Sequence, residues 1–301
     1  MELALGETIA VLGKNHYEIF GLQNPTSNPL ILMVHGAGGD LHHYETVTPT
    51  LVEQGYRVLL IDVRYHGLSQ LKQDDAEDPE KTSWTFDDVL QDIDAMLTAI
   101  KAKHYQGVDQ IQLFMAGLSM GGMITLLYAE KEAKCSKRKD GIHLMGTIPI
   151  ASGIPHLEIP RLGWDLYAER RATLEDLAWT RSAIIQSSIT PYGQDQTSRA
   201  MELISDHALY ECLVAIATML PNPSDPPVYY TVRSKMPILL LIPEQDVLTK
   251  PEMELLYQLC VEQGVDTERA YIQNAGHMAI LDQGEQVGRH ISAFCKRIIH
   301  N

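Results

Sequence analysis

The ten residues from Phe114 to Met123 read FMAGLSMGGM, a single serine, Ser119, with Gly117 two residues before it and Gly121 and Gly122 just after. IQLFM upstream is an apolar run of strand type, and ITLLYAE downstream continues at helical spacing, so the segment reads as a strand, a very tight turn and a helix. A G-x-S-x-G turn at such a junction holds the serine in a strained backbone conformation, at about 1–3 kcal/mol, and projects its hydroxyl above the sheet. The glycines follow from that geometry: a side chain at Gly117 or Gly121 would push strand and helix apart, and Gly122 permits the same close approach. The helix then points free N–H groups and a positive dipole end at the hydroxyl.

Working outward, the apolar runs ETIAVLG, HYEIFG, LILMVHG, YRVLLIDV, IQLFMAG, IHLMGTIPIA, PILLLI and ERAYIQ alternate with longer segments of helical period. That alternation predicts an α/β fold with roughly eight strands in a largely parallel sheet. The first two runs, linked at Lys14 and Asn15, form an antiparallel start, and the later Val/Ile/Leu runs suit strands buried on both faces. Phe86, Val89, Leu90, Ile93, Met96, Leu97 and Ile100 mark a surface helix capped by Thr85. Val287, Ile291, Phe294 and Ile298 mark a terminal helix behind an Asp282–Glu285 pair that resembles a capping box.

From about Ser152 to Lys235 the strand pattern stops, and helix-like patches are separated by turn-rich pieces such as TPYG and PNPSDPP. The expected organisation is a core domain of residues 1–151 and 236–301, with 152–235 inserted as a helical cap over one edge of the sheet. A string of ordinary peripheral helices is the alternative. The charged run KCSKRKDG at 134–141 reads as a solvated helix end and loop.

Composition bounds the function. Lys plus Arg is 24 against 39 for Asp plus Glu, a net charge of −15, which disfavours nucleic acid and anionic membranes as partners. Cys135, Cys212, Cys260 and Cys295 are widely spaced, without a CxxC pair, and suggest reduced thiols. MELALGETIA lacks a basic leader and an apolar run of signal length, and no window is apolar enough to span a membrane. A soluble cytoplasmic protein is expected, as a monomer or a homodimer. No metal site and no cofactor are implied, since HExxH is missing and the His and Cys positions lack ligand spacing.

A serine hydroxyl needs a base to take its proton. Of the twelve histidines, His42 and His43 fall in a polar loop, His104 and His300 near helix ends, and His290 on the terminal helix. His277, in IQNAGHMAI, follows the last strand, at the edge of the sheet where Ser119 emerges. The carboxylate that fixes its tautomer is expected from PILLLIPEQDVLTKPE, where Asp246 lies just beyond a buried strand and Glu244 two residues earlier is the alternative. Ser119, Asp246, His277 is the chain order expected on such a sheet. Two backbone amides suffice for an oxyanion. One is that of Met120, and the other comes from VHGAGGD, with Ala37 as donor and His35 as a structural loop histidine.

Taken together, HGAGG at 35–39, DVRYHGLS at 62–69, GLSMGG at 117–122, PEQD at 243–246 and NAGH at 274–277 resemble the α/β-hydrolase superfamily along nearly the whole chain, in its serine-nucleophile, capped esterase, lipase or lactonase-like branch. The resemblance implies an eight-stranded, mostly parallel sheet flanked by helices, the triad Ser119, Asp246 and His277, and a helical cap between the sixth and seventh strands. Tyr65, Pro243 and Gly284 depart from it, standing where family members commonly have glycine, glycine and proline. A serine nucleophile disfavours the dehalogenase and epoxide hydrolase branches, which need a carboxylate.

The implied activity is hydrolysis of a small, moderately apolar carboxylic ester or lactone through an acyl-enzyme. The same triad in other chemistry (thioester or C–C bond hydrolysis, perhydrolysis, acyl transfer) and a non-catalytic ligand receptor are the alternatives. Substrate contacts are expected from Gly36, Gly38, Trp164, Tyr167, Trp179, Tyr192 and Met278. Tyr210, Met219, Tyr229 and Tyr230 complete an amphipathic set in the cap.

Overall fold

Strands made of uninterrupted Val, Ile and Leu have no face suited to water, and here they stack into one sheet covered on both sides. The computed structural model describes residues 7–11, 15–69, 83–134, 141–154, 164–219 and 234–300. Its eight strands are β1 (Glu7–Val11), β2 (Asn15–Phe20), β3 (Leu30–Val34), β4 (Arg57–Ile61), β5 (Ile111–Leu118), β6 (Ile142–Ile150), β7 (Ile238–Pro243) and β8 (Thr267–Ile272). They lie in the order β1-β2-β4-β3-β5-β6-β7-β8. β1 and β2 are antiparallel to each other and β2 is antiparallel to β4; every later pairing is parallel. The eight expected runs are these eight strands.

Alternation along each strand builds a core on each face. Leu30, Leu32 and Val34 of β3 join the cluster that holds α2 (Phe86–His104) and α3 (Met120–Lys134), while Ile31 and Met33 face α1 (Thr48–Glu53) and the terminal helix α10 (Gly284–His300). Each such side chain, fully buried, contributes about 1.5–3 kcal/mol. Thr85 caps α2 as expected, in a capping box with Asp88. Between β7 and β8 lies α8 (Lys250–Glu262), whose Met253, Leu256 and Cys260 pack on Ile238, Leu240 and Ile242.

Between β6 and β7 the described residues 164–219 form four helices and no strand: α4 (Trp164–Ala168), α5 (Leu174–Gln186), α6 (Pro191–Leu203) and α7 (Asp206–Thr218). Thr173, Thr190 and Ser205 cap the last three through their hydroxyls. Buried α7 packs on Met120, with Cys212 Sγ 3.5 Å from Met120 Sδ. Arg170 grips Glu211 of α7 with two hydrogen bonds of 2.7 and 3.0 Å. PNPSDPP, Cys135, Tyr229 and Tyr230 lie outside the described residues. Among the described residues no helix is long and apolar enough to cross a membrane.

The Asp282–Glu285 pair behaves differently from the expected capping box. Asp282 closes the short helix α9 (Ala279–Asp282), and both its carboxylate oxygens turn to Gly276 and to residues 188–190. Several converging donors outcompete a single helix N–H.

Candidate active site

The parallel strands set the geometry, because the loops leaving β3, β5, β7 and β8 all emerge at one edge of the sheet. Ser119 follows β5 immediately and has φ +53, the left-handed region that a non-glycine residue adopts only under strain. Its N–H donates to Ile150 O at 2.9 Å, and its carbonyl accepts from Met123 N at 3.2 Å, so strand and helix lock it from both sides. A methyl group on Gly121 would sit 2.1 Å from Val34 O, and one on Gly117 would sit 2.2 Å from the Gly121 backbone. Only glycine lets β3, β5 and α3 meet this closely.

His277 and Asp246 lie on neighbouring loops, 7% and 3% exposed. His277 Nδ1 is 3.1 Å from Asp246 Oδ2. A carboxylate only accepts, so Nδ1 carries the proton and Nε2 keeps its lone pair. Asp246 also accepts from Leu248 N at 2.8 Å, Thr249 N at 3.3 Å and Thr249 Oγ1 at 2.6 Å. Burial by itself would raise its pKa; the facing histidine and these hydrogen bonds outweigh burial and hold it below the ordinary carboxylate value. Glu244 is exposed and accepts from Asn274 N at 3.4 Å. The geometry therefore pairs the histidine with Asp246 rather than Glu244.

Gly36 stands against Ser119: a methyl group there would lie 3.3 Å from Ser119 Cβ. Ala37, next along, and Met120, first residue of α3, both line the cavity beside Ser119. The Met120 N–H belongs to the first helical turn, whose amides have no partner within the helix. His35 is fully buried, with Nδ1 2.8 Å from Gly36 O and Nε2 accepting from Val63 N at 2.9 Å, and burial lowers its pKa. It is a loop brace, as expected.

Two residues that support these loops gave no sequence signal of their own. The hydroxyl of buried Tyr44 donates to Val34 O at 2.8 Å and accepts from Leu118 N at 3.1 Å, tying the end of β3 to the residue before Ser119. Asp40, 1% exposed, accepts from Nη1 and Nη2 of Arg199, each at 2.9 Å, linking the Ala37 loop to α6. Tyr65, where the family's glycine commonly stands, has φ +69, so it adopts the left-handed conformation that glycine takes without strain.

A cavity of about 470 Å³ opens over Ser119. Gly36, Trp164, Tyr167, Trp179 and Met278, expected as substrate contacts, line it together with His277. Gly38 and Tyr192 do not. Gly38 has φ +69 and faces Met201, which a methyl group there would overlap at 2.1 Å, so it serves the turn. Tyr192, in the first turn of α6, is 44% exposed, its phenol pushed up chiefly by partial burial and secondarily by Glu45. Tyr210 packs its ring 5.7 Å from that of Tyr167, and Met219 packs against the core. His43, read as part of a polar loop, is instead fully buried, lines the cavity, and is pushed by burial down to about 4.

A family model described as serine aminopeptidase, S33, matches residues 25–162, just under half of the chain and including the Ala37 loop and Ser119. No curated protein matches the chain in sequence. Among solved structures, a thermophilic esterase from Thermogutta terrifontis is 19% identical with a TM-score of 0.69, covering 99% of each chain. The enol-lactonase from Burkholderia xenovorans LB400 is 18% identical with a TM-score of 0.68, covering 96% of this chain and 100% of its own. A carboxylesterase structure from Nitrososphaera gargenis is 14% identical with a TM-score of 0.69, covering 98% and 99%. By its sheet order, its turn at Ser119 and these likenesses, the chain has the α/β-hydrolase fold.

Proposed function

We propose that the protein is a serine hydrolase that cleaves a small, moderately apolar carboxylic ester or lactone through an acyl-enzyme. The observation that carries this is the strained Ser119 at the floor of a cavity that His277, oriented by Asp246, also lines. Ser119 Oγ attacks the carbonyl carbon as His277 Nε2 takes its proton, and the Ala37 and Met120 amides receive the oxyanion. Collapse of the tetrahedral species breaks the bond to the leaving alcohol, which takes the proton from His277. Water, deprotonated by the same nitrogen, then attacks the acyl carbon and frees Ser119 and the acid. Asp246 stays ionised throughout and stabilises the imidazolium.

The lining supports an apolar acyl or alcohol group, since Met123, Trp164, Tyr167, Trp179, Leu213 and Ile216 surround the space over Ser119. Similar solved structures named esterase, carboxylesterase and enol-lactonase favour the ester or lactone. The expected cap, 152–235, closes this space through its described residues 164–219, a role supported by the four helices there. Intact-mass analysis after mixing with a fluorophosphonate tests the nucleophile. One adduct, on Ser119 and absent from Ser119→Ala, is the expected result; a folded wild-type protein that takes up no label contradicts the proposal.

A further inference from the structure

Resting on His277 as the general base, we infer that Asp282 is a positioning residue that locks the His277 loop to the loop between α5 and α6, so that the base is in place only while that second loop is docked. Five hydrogen bonds converge on this carboxylate. Oδ2 accepts from Gly276 N at 2.9 Å and Ile189 N at 3.2 Å, and Oδ1 accepts from Ser188 Oγ at 2.5 Å, Thr190 Oγ1 at 2.7 Å and Thr190 N at 3.1 Å. Gly276 immediately precedes His277, whose own N–H donates to Ser187 O at 2.9 Å. A side chain at Gly276 would put Cβ 2.4 Å from that same Ser187 O, so the two backbones touch.

The chemistry of the joint suits a lock. Its donors are neutral amides and hydroxyls, and Thr190 caps the thirteen-residue helix α6, so the carboxylate sits at a helix end that favours an anion. Since Gly276 and residues 188–190 share one carboxylate, displacement of the α5–α6 loop removes most of what fixes the backbone beside His277. A shift of that backbone lengthens the contact between His277 and Asp246, on which the tautomer depends. Docking of the α5–α6 loop and readiness of the base are thus one event.

Two variants test this with an ester that the wild type turns over. Asp282→Asn keeps the size of the side chain but turns an amide N–H toward donors, and the Ser188→Ala, Thr190→Val double variant removes hydroxyls from the far side while leaving the Gly276 bond possible. We expect kcat to fall about a hundredfold in the first and about tenfold in the second, with KM changed less than about twofold, as for a misplaced catalytic group. Unchanged kcat with only a lower unfolding temperature would overturn the inference, and so would a rise confined to KM. His277→Ala, measured alongside, reports separately on the base: full activity there would defeat the catalytic assignment itself.

Discussion

Asp246 Oδ2 lies 3.1 Å from His277 Nδ1 and also accepts from Thr249 Oγ1, while Oδ1 of the same carboxylate accepts from Leu248 N and Thr249 N. A carboxylate pinned in this way can present only an acceptor to the ring. Asp246→Asn keeps the shape and can present an amide N–H instead, which favours the wrong tautomer. Steady-state kinetics should show kcat lower by about 10⁴-fold with the fold intact. Glu244→Gln, at an exposed carboxylate, should leave kcat unchanged.

The Arg199–Asp40 pair makes a prediction for stability against pH. Burial would raise the Asp40 carboxyl, but its hydrogen bonds to Arg199, with the nearby positive charge, hold it below the ordinary value. A depressed carboxyl stabilises the fold above its unfolded pKa of about 3.9, and that contribution is lost as pH falls through the folded value. In Arg199→Ala the hydrogen bonds that oppose burial most are gone, leaving the His42 N–H, and the depression is lost. Urea unfolding should show the variant less stable than wild type by about 1–3 kcal/mol at pH 7. The gap should narrow as the pH is taken below about 4. A gap independent of pH would contradict this origin.

Tyr44 is predicted to matter through one oxygen. Tyr44→Phe leaves Leu118 N–H and Val34 O without the partner they share, beside Ser119. The loss should be about 1–3 kcal/mol in chemical denaturation. Labelling of Ser119 by a fluorophosphonate should slow with it. Normal stability and labelling would show the hydroxyl to be dispensable.

Acyl length should be set by the cavity wall. Ala183 on α5 faces the space over Ser119. Ala183→Phe should raise KM for p-nitrophenyl octanoate at least about fivefold, equivalent to about 1 kcal/mol of lost apolar burial, and leave the acetate ester close to wild type. Equal effects on both esters would mean that acyl chains lie elsewhere.

The strands, the turn at Ser119 and the sheet edge that carries Asp246 and His277 were legible in the sequence because each leaves a local mark: an apolar run, a crowded glycine turn, a polar residue just past a buried strand. The supports were not. Tyr44 meets Leu118 across 74 positions, Ser188 meets Asp282 across 94, and Arg199 meets Asp40 across 159. No local pattern encodes such pairs. Asp282 shows how a local pattern misleads, since its spacing to Glu285 suits a helix cap while its oxygens serve the His277 loop. Tyr192 failed for a similar reason: an aromatic residue in a helical region has no mark telling cavity from solvent, and this one is 44% exposed.

The most direct test of the central claim is hydrolysis of p-nitrophenyl esters from acetate to octanoate by wild type, Ser119→Ala, His277→Ala and their double variant. The account predicts turnover by wild type, near-complete loss in each single variant, and a double variant little worse than either, because the two side chains act as one unit. Losses that add, or turnover that survives Ser119→Ala, would contradict it.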